Sequence, residues 1–171
     1  MKNITFILVL LSFATIHLQA QDISNHTLGL RIGDSDGFGA EISYQKAIQR
    51  VNRVEFNLGF RNSSREFDAF KISGIYQWVH EIDRGFNWYY GFGGGLGSVD
   101  FEPVPNNNNN GFSDDDDGFF LFVAGEIGVE YNFDIPLLIS LGTRPEIGII
   151  GFDGFDNNFL FDVALGLRYQ F

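Results

Sequence analysis

Apolar residues recur at every second position along most of the chain, and the last thirteen residues show the pattern most cleanly. Phe159, Phe161, Val163, Leu165, Leu167, Tyr169 and Phe171 fall on one face of an extended segment, while Asp162, Ala164, Gly166, Arg168 and Gln170 fall on the other. A period of two is the signature of a strand. One face is wholly apolar and the other polar or tiny. This predicts a barrel wall with a polar inside and a lipid-facing outside, where a soluble sandwich would turn its polar face to water.

Seven earlier segments repeat the alternation: Thr27 to Ile32, Phe38 to Gln45, Arg53 to Phe60, a fourth carrying Phe70, Ile72, Tyr76 and Trp78, Phe86 to Val99, Phe119 to Phe133, and Leu137 to Ile150. Ile75 and Val79 blur the fourth, because their parity points them inward. In the fifth, Gly91, Gly93, Gly95 and Gly97 share the inner face, which predicts room there for bulky side chains from neighbouring strands. Pro145 lies inside the seventh and cannot donate to a ladder, so a bulge or a missing bond is expected at that point. Connections alternate: those after the odd-numbered segments are the more acidic and mostly longer, and Asp100 to Gly118 is the longest. The expected fold class is all-β, an eight-stranded antiparallel up-and-down transmembrane β-barrel with both termini at the end of the short turns.

The amino end departs from this pattern. Lys2 precedes an apolar run from Ile4 to Ile16, which closes on Leu18-Gln19-Ala20. That order is expected of a secretory signal peptide, residues 1–20, followed by a barrel domain over residues 21–171. The run is shorter than the ~20 residues that a membrane-spanning helix needs. With no cysteine in the chain, neither a disulfide framework nor a lipid-modified cysteine can hold it. Net charge is −11, and −12 once Lys2 is removed, which disfavours nucleic acid as a partner.

The charges sort into two groups. Asp34, Asp36, Glu66, Asp68, Asp100, Glu102, Asp114, Asp115, Asp116, Asp117, Asp153 and Asp156 lie in or beside the long connections and predict an acidic outer rim. Asp114 to Asp117 are candidates for a weak cation contact, since carboxylates are hard oxygen ligands. They lack the spaced pattern of a calcium loop, and a solvated, self-repelling loop is the plainer reading. The second group faces inward: Arg31, Glu41, Glu55, Lys71, Glu126, Glu130, Arg144, Glu146, Asp162 and Arg168. Buried charges must pair, so these ten are expected to form an interior network that plugs the lumen. A narrow ion path along the same groups is the functional alternative. Aromatic residues near segment ends, among them Tyr44, Trp78, Trp88, Tyr131 and Tyr169, are candidates for interface girdles.

Taken together, the export signal, the eight segments and the final alternating strand resemble the small eight-stranded outer-membrane barrels of Gram-negative bacteria, the OmpA/OmpX type. The Arg144-Pro145-Glu146 strand and the Ala20-Gln21 junction are similar to Bacteroidetes-type members. The resemblance implies residence in the outer membrane, contact with the lipid bilayer and lipopolysaccharide, and a monomeric barrel. It also implies that Val163, Leu165, Leu167, Tyr169 and Phe171 form the signal read by the barrel assembly machinery.

Catalytic motifs are missing. No Gly-x-Ser-x-Gly, His-Glu-x-x-His or phosphate loop occurs, and His26 and His80 lie near the end opposite the long loops. The expected function is therefore non-enzymatic, structural or surface-interactive, with no cofactor and no resident metal. The alternative is a narrow porin or a carrier of a small apolar ligand.

Overall fold

The computed structural model of the chain describes residues 23–33, 39–63, 67–101, 118–151 and 159–171. The expected signal peptide, the Asp114 to Asp117 run and the acids at 34, 36, 66, 102, 153 and 156 lie outside the described residues. Eight strands follow one another: β1 (His26–Gly33), β2 (Ala40–Ala47), β3 (Asn52–Ser63), β4 (Phe67–Asp83), β5 (Phe86–Phe101), β6 (Gly118–Asn132), β7 (Leu137–Ile150) and β8 (Phe159–Gln170). Each pairs antiparallel with the next, and β8 pairs back onto β1 to close the barrel. Closure leaves no sheet edge along the β1–β8 seam, where Leu30 faces Leu167 and Thr27 faces Gln170.

The register runs from Leu28 through Tyr44, Phe56, Gly74, Gly94, Val123, Ile147 and Phe159. Carried on to β1, it returns roughly ten residues further along, the stagger that tilts the strands of a closed barrel. Several connections are shorter than the alternation predicts. Arg61 to Ser63, Phe67 and Asp68, and Asp100 and Phe101 continue strands, with Asp68 opposite Asp100 in the ladder. Glu81 to Asp83 extends β4, which leaves the two-residue turn Arg84-Gly85. Gly85 adopts φ 75°, a conformation that a residue with a Cβ rarely takes.

Pro145 breaks the β6–β7 ladder without bulging it. The bridges skip Gly125 and Glu126 opposite Pro145 and Arg144, and the register is the same on either side. The bulge in this pair lies elsewhere, between Leu121 and Phe122. Pro145 keeps its place opposite Phe161 of β8, so the loss is confined to the side facing β6.

Burial is inverted relative to a soluble domain. Arg144, Arg168 and Lys71 head the largest fully buried side chains, while Leu28, Leu30, Phe56, Phe92, Leu141, Leu165 and Leu167 stand half exposed or nearly so around the wall. Strand parity accounts for it, because inward positions carry the polar residues and outward positions the apolar ones. An apolar belt that encircles a molecule is the surface that hydrocarbon, not water, would solvate.

Candidate functional site: the interior ion network

All ten charged residues read from the sequence point into the lumen and are buried. They form one connected set with Glu55 near its centre. Glu55 accepts from Arg144 Nη2 at 3.1 Å, Arg168 Nη2 at 3.2 Å, Gln45 Nε2 at 2.6 Å and Gln77 Nε2 at 3.1 Å. Arg144 lies between three carboxylates, those of Glu55, Glu126 at 3.2 Å and Glu41 at 3.4 Å. Toward the end where the long connections leave, the loop end, Arg31 pairs with Glu41 and Asp162. There Lys71 pairs with Glu146 at 3.1 Å and Glu41 at 3.4 Å. The remaining donors of Arg168 go to Ser43 Oγ and Ser140 Oγ.

Sequence parity overlooked one member. Arg53, the first residue of its predicted segment, donates from Nη2 to Glu130 at 2.7 Å and from Nε to Gln77 at 2.6 Å. It shares the face of Glu55 and Asn57, so the period-two rule places it inside. Its position at a segment edge concealed it. With Arg53 included, five cations meet six carboxylates among the described interior residues, and each of the six has a cationic partner.

Apolar residues cover this polar layer at both ends. At the loop end Ala69, Val99, Phe120, Phe122 and Ala124 pack together with Ile75 beneath them, and Leu160 of β8 packs against the cluster. At the other end, which carries both termini, Ile23, Val79 and Tyr89 pack with Ala47. The inward glycines make this possible. A Cβ on Gly95 would meet the ring of Phe122, one on Gly97 the ring of Phe120, and one on Gly142 the hydroxyl of Tyr89. Inward aromatics are thus part of the plug, beside the outward ones that the girdle expectation concerned. Lys71 Nζ lies 5.6 Å from the Phe122 ring centroid, and the Arg53 guanidinium 5.1 Å from that of Tyr89.

The outer face carries a block of rings near the terminus end. Trp78 and Tyr90 stack at 5.3 Å, His80 stacks on Trp88 at 4.8 Å, and Tyr76 meets Trp78 edge-on at 4.7 Å. His26 accepts or donates at Nδ1 to the Tyr44 hydroxyl at 2.7 Å and stacks on Phe171. His26 and His80 therefore both sit among aromatic rings on the outer face. Val163, Leu165, Leu167, Tyr169 and Phe171 all face outward, each about half exposed.

No protein-family model and no curated protein matches the sequence. Solved structures do. The N-terminal β-barrel domain of Pseudomonas aeruginosa OprF aligns with a TM-score of 0.59 at 11% identity, over 90% of this chain and 100% of its own. Ail, the attachment invasion locus protein of Yersinia pestis, gives 0.57 at 16% identity over 88% and 99%. Neisserial surface protein A gives 0.55 at 14% over 85% and 94%. At these identities the likeness is one of fold, and the fold of this chain is that of the eight-stranded outer-membrane β-barrels.

Proposed function

We propose that the chain is a non-enzymatic outer-membrane β-barrel, closed to ions, that acts through the acidic connections at its loop end. One observation carries the reading. The outside is a continuous apolar belt, while the inside, among the described residues, is an ion network in which every carboxylate has a cationic partner, covered by apolar side chains at both ends. In water such a belt would drive aggregation. In hydrocarbon the same belt is solvated, and every strand has a partner on both sides.

Export by residues 1–20 and recognition of Val163, Leu165, Leu167, Tyr169 and Phe171 by the assembly machinery belong to the same reading, as does a monomeric state. The loop end would meet lipopolysaccharide or an external partner. One solved Ail structure holds the heparin analogue sucrose octasulfate. The rim of this chain carries Asp114 to Asp117 and eight further acids against Arg61 and Arg65, so it would repel a polysulfated ligand and favour a cationic partner or one bridged by divalent ions.

Cell fractionation with heated and unheated gel samples tests the location, and planar-bilayer recording tests closure. Recovery in the outer-membrane fraction, a heat-dependent gel shift and an absence of steady current are expected. A soluble periplasmic monomer would overturn the location, and discrete conductance steps would overturn closure.

A further inference from the structure

We propose that Ile23 is a removable stopper, and that the interior ion network is a hydrated compartment open intermittently to the terminus end while the loop end stays shut. Among the described residues, four interior polar atoms have no hydrogen-bond partner: Arg31 Nη2, Asn57 Oδ1, Asn87 Oδ1 and Arg144 Nε. Groups left so in a dry interior are costly, and a polar, enclosed space of this kind holds water instead. Water needs a route in.

The two apolar ends differ in how they are held. At the loop end Ala69, Val99, Phe120, Phe122 and Leu160 all come from strands, and the two rings fill spaces above Gly95 and Gly97. At the terminus end Val79 and Tyr89 come from strands, but Ile23 precedes β1. Its backbone N–H reaches Arg50 O at 3.4 Å, the long limit of a hydrogen bond. Firm pairing begins at Asn25, whose carbonyl accepts from Ala47 N–H at 2.9 Å. Hollows of about 450 and 510 Å³ flank Ser24 and Asn25 on either side, which gives the segment room to swing about Asn25. Short segments with few stabilising contacts open far more often than strands do. The network therefore exchanges water and protons with the terminus side alone.

The chain has no cysteine, so a single introduced thiol reports cleanly. Ser140→Cys places one beside Arg168, and Ser73→Cys places one nearer the loop end. Both are labelled with a small cationic methanethiosulfonate on the folded barrel in detergent micelles, so the result does not depend on where the barrel resides. With Ile23 intact, the thiol at position 140 should react roughly tenfold or more faster than that at 73. Adding Ile23→Gly should raise the rate at 140 by a similar factor, Ile23→Leu should leave it slow, and Phe122→Ala should leave it unchanged. Equal rates at the two thiols, or a rate that rises with Phe122→Ala and not with Ile23→Gly, would overturn the proposal. The comparison of the two thiols needs no change at Ile23, so it stands even where Ile23→Gly weakens the barrel.

Discussion

Replacing Arg144 by methionine should be among the most damaging single changes in the barrel. The guanidinium is fully buried and reaches Glu55, Glu126 and Glu41 at 3.1, 3.2 and 3.4 Å. Methionine keeps much of the volume, so the change is mainly one of charge. Glu55 would retain Arg168, and Glu41 would retain Arg31 and Lys71. Glu126 would lose its ion pair and keep the Gln77 amide at 2.8 Å. Interior charge among the described residues would move from five cations against six carboxylates to four against six. Stranding a buried charge in this way costs about 3–5 kcal/mol, or roughly two to three and a half orders of magnitude in the folding equilibrium. Urea unfolding in detergent micelles, followed by tryptophan fluorescence, measures it. Adding Glu126→Gln removes the stranded charge and should recover more than half of the loss. A cost below about 1 kcal/mol for Arg144→Met, the range of exposed ion pairs, would refute a network of buried, mutually dependent ions.

Three further changes probe other parts of the same account. Gly142→Ala places a Cβ 2.5 Å from the Tyr89 hydroxyl and 3.3 Å or more from its other neighbours. It should cost about 1–3 kcal/mol, and Tyr89→Phe in the same background should restore most of that in the same unfolding assay. Pro145→Val adds an N–H that should donate to the Gly125 carbonyl and complete the β6–β7 bridges at Gly125 and Glu126, gaining about 1 kcal/mol, with the new amide at position 145 protected from hydrogen exchange. Leu165→Arg, half exposed on the outer wall between the aromatic ends of β8, should cost about 2–4 kcal/mol for a barrel folded in lipid vesicles. A value within 0.5 kcal/mol, as for an ordinary water-exposed site, would contradict a lipid-facing wall.

Much of the wall was legible because a strand has a period of two. Parity alone assigned Arg31, Glu41, Lys71 and Arg168 to the interior and Leu165 and Leu167 to the outside, and those positions hold because one slip of register would turn every side chain over. Pro145 was legible for a similar reason, since a missing N–H has the same consequence in any ladder. Where the sequence misled, the pattern was weak or reversed. Phe120 and Phe122 share the inner parity with Ala124 and Glu126, yet an apolar side chain at an inward position gives no signal against an apolar outside. They point inward because Gly95 and Gly97 on β5 make space for them, a relation between strands that no single segment displays. Arg53 escaped notice at the edge of its segment. The covered ends of the lumen were readable only in part: parity turned Ile75 and Val79 inward, but Ile23 meets Val79 and Tyr89 only once the barrel has closed.

Both tryptophans of the chain, Trp78 and Trp88, belong to the ring block on the outer face near the terminus end. Their fluorescence therefore tests most directly whether that face lies in a membrane. In vesicles of lipids brominated at shallow or deep acyl positions, emission should be quenched most by the shallow bromines and little by aqueous iodide, as for side chains at a bilayer interface. Strong quenching by iodide with none from either brominated lipid would place the rings in water and contradict the account.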